Sequence, residues 1–285
     1  MNGLFACLPW YDLTEIRSST NALWSRLAQN LRKRGLKHVP AALNREIPYE
    51  VQWHSGQLLF SQSCGYDVLV RANHLRILAT PVYTPIGCLG GHYSSMIVVR
   101  EDSRFECLED LRGSRCAINT PRSHSGMNVL RALFAPMSRN GRFFESVWTT
   151  GSHEISLTMI AHRRVDVAAI DCITYALLQR HRSRALREVR VLSCSSRFPA
   201  PPYVVGSQVS ESEVPQIREA LVETLATPDM RRARDALLIK EVVDLPPQSY
   251  QSIADLERRA LELKYSDFSS PLPACGSMPR RRKRD

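Results

Sequence analysis

Three stretches of this 285-residue chain carry side chains suited to gripping a small anion. In NTPRSHSGM (119–127), Ser123, His124 and Ser125 crowd in front of Gly126, where a helix-like segment begins. A helix start needs one capping side chain, so three polar groups in a row exceed the local requirement. In TTGSHE (149–154), Ser152 and His153 stand at a second helix start, and Asp171 closes the apolar run VDVAAID. A helix N-terminus presents unpaired N–H groups and about half a positive charge. Small hydroxyls add donors there without blocking approach, and Gly126 lets the backbone come close to a ligand. Taken alone, each serine reads equally as a cap. Together, two termini that each carry serine and histidine make a cradle for a tetrahedral oxyanion. Asp171 either caps the next helix or faces the ligand, where it would meet an amine or orient His153. A hydrolytic Ser–His153–Asp171 triad would draw on the same residue types. The G-x-S-x-G elbow is absent and the serines sit in capping positions, which argues against it.

The elements that must hold these residues alternate between strand-like and helix-like segments, the pattern of an α/β protein. RCAINT, FFESVWTTG and VDVAAID read as strands, each followed by a helix (SGMNVLRALFAPM, SHEISLTMIAHRR, CITYALLQRHR), and REVRVLSCS is a fourth strand. Such units predict a mostly parallel sheet with helices on both faces, and ligands of open α/β sheets bind beyond the carboxyl ends of the strands. Upstream, LFACLPW, QLLFSQ, LRILATPVY and SSMIVVRE read as strands. Apolar residues at helical spacing (Ile16, Leu23, Leu27, Leu31), stopped by Gly35, predict a helix. Beyond FPAPPYVVGSQV two helical stretches follow, with no strand of comparable quality between them. Residues 267–285, rich in Ser, Pro and Arg, read as a disordered basic tail.

Composition narrows the function classes. Hydrophobic residues make up 44% and charged residues 23%, a globular balance. Of the net charge of +10, the terminal RRRKRD accounts for +4, and the rest is scattered at presumed helix ends. With no zinc-finger spacing or helix-turn-helix, this reads as solvated basic surface and not as a nucleic-acid site. None of the eight cysteines forms a C-x-x-C pair, so no metal or redox cofactor is expected. Free thiols are the default in a reducing compartment. In an exported chain, Cys64 and Cys88, both beside glycine-rich turns, would be the candidate disulfide. No window approaches the ~20 apolar residues of a membrane span. MNGLFACLPWYD lacks the basic and apolar regions of a signal peptide. The expectation is cytoplasmic if the sequence starts where given, and periplasmic if the true start lies upstream.

CGY (64–66), GGHYSSMIVVR (90–100), LEDLRGSRCAIN (108–119), SHSGM (123–127), GSH (151–153) and VDVAAID (165–171) resemble, in order, the phosphate/phosphite/phosphonate-binding proteins of ABC transporters. The resemblance spans roughly residues 4–210. It implies the two-lobed, α/β type 2 periplasmic-binding-protein fold, with a ligand cleft between lobes joined by two crossovers. The first lobe would be 1–97 plus 198–266, and the second 98–197. It implies a monomer that captures a small oxyanion by lobe closure and hands it to a transporter permease. Tyr93 and Ser94 match the crossover motif. Ser123, His124 and Ser125 match the hydroxyl run that holds phosphonate oxygens, with His124 where threonine is common, and His153 matches the family histidine. Trp53 falls where an aromatic contact is expected, and Cys64, Gly65 and Tyr66 match the turn facing the cleft. Family members with aminoalkyl ligands carry an acidic residue near the second crossover, where this chain has FPAPPYVV. Either Asp171 takes that duty or the ligand lacks an amine.

Two other readings use the same scaffold. A cytoplasmic enzyme acting on a small carboxylate or phosphate metabolite would use His153 and Asp171 as acid and base. A cytoplasmic sensor domain would pass lobe closure to a partner.

Overall fold

A computed structural model describes residues 3–70 and 74–265. The expected basic tail, with Cys275, lies outside the described residues. The chain opens with β1 (Phe5–Ala6), α1 (Arg17–Lys33) and α2 (Tyr49–His54), then β2 (Leu58–Gln62), α3 (Gly65–Val70) and β3 (Arg76–Tyr83). It crosses through β4 (His92–Tyr93) into β5 (Ser95–Arg100). The middle of the chain supplies β6 (Arg115–Ile118), α4 (Val129–Phe134), β7 (Ser146–Thr149), α5 (His153–Ala161), β8 (Val167–Asp171), α6 (Cys172–His181) and β9 (Val189–Cys194). It returns through β10 (Phe198–Pro199) into β11 (Tyr203–Val205), α7 (Glu213–Ala226), α8 (Arg231–Leu237), β12 (Ile239–Val243) and α9 (Pro247–Glu262). No helix among the described residues is long and apolar enough to cross a membrane.

Two five-stranded sheets result. One has the order β1-β2-β11-β3-β12 and draws on both ends of the chain. The other has the order β7-β6-β8-β5-β9 and comes from the middle. Between them β4 pairs antiparallel with β10, Tyr93 opposite Phe198, so the two crossovers run side by side. The four strands expected to run parallel in the middle sheet do so, and β5 is the one strand set against them. β6 lies parallel to β7 and β8, but β5 runs antiparallel to β8 and β9. In the first sheet β11 runs antiparallel to both β2 and β3. The cause is the crossing itself: each strand that enters from the other half inserts against the direction of its neighbours. β12 is a further strand that the sequence reading missed. It pairs with β3 alone at the sheet edge and exposes Lys240 and Glu241, so it lacks the apolar run of a central strand.

α1 covers the first sheet as its periodicity requires, burying Leu23, Trp24, Leu27 and Leu31. Asn30 on its inner face is satisfied by Thr224 of α7 at 3.0 Å. The middle sheet buries Ile97, Val99, Cys116 and Ile118 against Leu130 and Phe134. This rigid layer fixes the carboxyl ends of β6, β7 and β8, from which three helices start.

Candidate ligand-binding cleft

A cleft of about 350 Å³ opens at those three strand ends. After β6, Ser123 adopts extended backbone (φ −78°, ψ 133°), and its Oγ accepts the Gly126 N–H at 2.9 Å. Ser123 is therefore the N-cap. The next turn is wound wide, with Asn128 N–H reaching back to the Ser123 carbonyl at 3.0 Å, a π-turn of the kind enriched at functional sites. A Cβ on Gly126 would lie 2.0 Å from Asn119 Oδ1 and 3.0 Å from His153 Cε1. Glycine there makes room for both polar side chains. After β7, Ser152 caps α5 by accepting the Ile155 N–H at 3.1 Å. After β8, Asp171 Oδ1 caps α6 by accepting the Ile173 and Thr174 N–H groups at 3.1 and 2.8 Å.

His153 joins the three starts. Its Nε2 lies 3.3 Å from Asp171 Oδ2, 3.3 Å from Ser125 Oγ and 3.5 Å from Asn119 Nδ2. Burial holds the imidazole below its ordinary pKa, with the Asp171 carboxylate pulling the other way, so His153 is neutral near pH 7. Tyr93, buried at the crossover, shares a hydrogen bond with Ser125, and burial raises its phenol well above the ordinary value. It too stays neutral. The cleft floor thus carries hydroxyl, amide and imidazole groups at two helix starts, with no cation among them.

The opposite wall belongs to the first sheet. Trp10, Tyr11, Tyr49, Glu50, Cys64 and Asp67 line it, and Trp10 and Tyr49 rings lie 4.9 Å apart. Arg122 spans the cleft, its Nε and one terminal nitrogen donating to Asp67 Oδ1 at 2.9 and 2.6 Å. A second bridge crosses farther out, where Arg182 contacts Glu15 at 2.7 Å and Glu154 at 2.6 Å.

Of the expected site residues, Tyr93, Ser123, Ser125, Ser152, His153 and Asp171 line the cleft. Five others do not. Trp53 is wholly buried in the core beneath β2, its indole N–H donating to Ser61 at 3.1 Å. Tyr66 turns behind the cleft and donates to Glu257 at 2.6 Å. Ser94 is buried at the crossover, where its carbonyl accepts the Cys172 N–H at 3.0 Å. Gly126 acts through the space it leaves. His124 is 1% exposed and packs edge-on to Phe198 at 5.0 Å, and its Nδ1 accepts from Asn128 at 3.4 Å. Burial alone lowers its pKa to about 3.

Cys64 and Cys88, the candidate disulfide of an exported chain, are not bonded to each other here. Cys64 accepts N–H bonds from Tyr66, Asp67 and His124, and burial pushes its thiol up to about 11. Cys88 instead faces Cys172. Sequence reasoning missed Trp10, Tyr11, Tyr49, Glu50, Asp67, Asn119 and Arg122. Only Asn119 had a local signal, as the polar residue that ends the apolar strand RCAI.

A family model for the ABC transporter, phosphonate, periplasmic substrate-binding protein family matches residues 5–250. The chain belongs to this family. Its members are binding proteins of importers and not enzymes, which sets aside acid–base catalysis by His153 and Asp171. The family works with an ABC transporter and is periplasmic. Among solved structures, the binding-protein component of an ABC phosphonate transporter from Pseudomonas aeruginosa is 17% identical, with a TM-score of 0.73 over 96% of this chain and 91% of that one. PhnD1 from Prochlorococcus marinus, in complex with methylphosphonate, is 11% identical, with a TM-score of 0.71 over 92% and 99%. XAC2383 from Xanthomonas citri, bound to ATP, is 14% identical, with a TM-score of 0.68 over 93% and 98%. These likenesses establish the two-lobed fold. No curated protein matches the sequence.

Proposed function

We propose that the cleft takes the oxyanion head of an organophosphonate, with Ser125, Tyr93 and Asn119 as its side-chain donors and His153, whose one N–H is turned toward Asp171 and Ser125, as the residue that positions Ser125. Ser123 and Ser152 serve mainly as the caps that aim two helix starts at the same point. The observation that carries this reading is the 3.3 Å approach of Ser125 Oγ to His153 Nε2 where those two starts converge. Neutral dipoles in a desolvated site hold an anion without a formal cation, because nothing must reorganise to meet the charge. The Asp171 oxygens are committed to the α6 cap and to His153. They orient the imidazole and are not available to a ligand amine. An amino substituent would meet Glu50 on the far wall instead.

The volume of about 350 Å³ and the rings of Trp10 and Tyr49 leave room for an organic substituent beside the oxyanion. This favours a phosphonate over inorganic phosphate. The lobe division that suits this reading follows the two sheets, with β4 and β10 as the crossovers. A monomer suffices for this reading, because one chain supplies both walls of the cleft.

The test is a thermal-shift panel of phosphate, phosphite, sulfate, methylphosphonate and 2-aminoethylphosphonate. A ligand bound only by the native state raises the melting temperature by mass action. A phosphonate is expected to give the largest shift, and equal absence of shift across the panel would overturn the proposal.

A further inference from the structure

We propose that Cys88 and Cys172 form a disulfide that ties the loop before the first crossover to the start of α6. The two Sγ atoms lie 3.3 Å apart although 84 positions separate them in the chain. An S–S bond of about 2.05 Å requires them to approach by roughly 1.3 Å, within reach of small side-chain rotations. The loop backbone is pressed against the partner. Gly87 holds φ +98°, and a Cβ there would lie 3.0 Å from Cys172 Cβ and 2.5 Å from Ser94 Oγ. Cys172 is itself anchored through its N–H to the Ser94 carbonyl at 3.0 Å, which fixes the backbone that carries its sulfur.

The other nearby thiols are engaged elsewhere. Cys64 accepts three backbone N–H groups, and Cys194 contacts the Met96 sulfur at 3.3 Å. Cys88 is half-buried and open to an oxidant, whereas Cys172 is buried. Cys172 opens α6, and the hydrogen bond from Cys88 holds its thiol below the ordinary value. These roles fit a two-step exchange with a low-molecular-weight disulfide such as oxidised glutathione. The bond to Cys172 and burial raise the Cys88 thiol above its ordinary value. Cys88, the accessible sulfur, therefore gives up its proton to the departing glutathione as it attacks one glutathione sulfur, forming a mixed disulfide and releasing the first glutathione as a thiol. The Cys172 thiolate then displaces the second glutathione and leaves Cys88–Cys172. Two protein thiols are oxidised, one glutathione disulfide is reduced to two thiols, and both protons end on glutathione. Disulfides persist in oxidising compartments such as the periplasm, where this family works.

The full chain, purified under reducing conditions, is treated with oxidised glutathione at neutral pH, alkylated and digested with trypsin without reduction. The expected product joins residues 77–100 to residues 165–180, each with one cysteine, and weighs two hydrogen atoms less than the separate peptides. It should persist in Cys64→Ser, vanish with dithiothreitol, and accompany a rise in melting temperature. Cys88 recovered as a thiol, held as a lasting glutathione adduct, or linked to Cys64 or Cys194 would overturn the proposal. Because the mapping uses the unaltered protein, the result does not depend on a serine variant folding.

Discussion

His124 should make this protein sensitive to mild acid in a way that one substitution removes. Its imidazole is buried, and burial takes its pKa from 6.5 to about 3. The unfolded chain therefore gains a proton at His124 between pH 7 and pH 5 while the folded chain does not. A group whose folded pKa is depressed contributes stability that is present above the unfolded pKa and declines as pH falls toward the folded value. At 1.36 kcal/mol per pKa unit, the loss from pH 7 to pH 5 comes to about 2 kcal/mol from this residue alone. Urea unfolding at both pH values measures it, because the midpoint shifts while the slope is unchanged. In His124→Gln the difference between the two pH values should shrink by about 2 kcal/mol. Each protein is compared with itself, so the packing cost of the substitution cancels. An undiminished difference in the variant would refute the reasoning and mean that the imidazole charges inside the fold.

Gly126→Ala should leave helix content intact yet weaken phosphonate binding by about tenfold or more in calorimetry, because the new methyl displaces Asn119 and crowds His153. Arg122→Ala should lower stability by about 1–2 kcal/mol in urea unfolding, since it strips the 5%-exposed Asp67 carboxylate of its cross-cleft ion pair. Trp53→Phe should cost about 1–2 kcal/mol of stability, through the lost bond to Ser61 and the smaller ring. Its ligand affinity should be unchanged, and a tenfold weakening would restore Trp53 to the site.

The cradle itself was legible because it depends on local rules. Small hydroxyls and carboxylates before an apolar helix are caps, and caps after parallel strands face the ligand side of a sheet. Ser123, Ser152 and Asp171 follow those rules to the atom. His124 does not, because neighbouring positions on a helix point about 100° apart: with Ser125 turned to the cleft, His124 is turned into the core. Trp53 failed for a similar reason, since its residue type does not say which side of the short α2 meets the cleft. The far wall was illegible because Trp10, Tyr49 and Asp67 reach it only once the two sheets are set against each other. Strand direction in β5 and β11 depends on the crossovers and leaves no trace in local periodicity.

The central claim is that Ser125 and His153 form the floor of an oxyanion site. Isothermal titration with methylphosphonate and 2-aminoethylphosphonate, on the parent chain and on Ser125→Ala and His153→Ala, tests it most directly. A hydrogen bond to a charged group contributes about 1.5–3 kcal/mol, so Ser125→Ala should bind the favoured phosphonate roughly 10- to 150-fold more weakly. His153→Ala, which frees Ser125 from its position, should weaken binding in the same direction, while both melt as folded proteins. Tight phosphonate binding that both variants retain unchanged would contradict the account and move the anion to another part of the cleft.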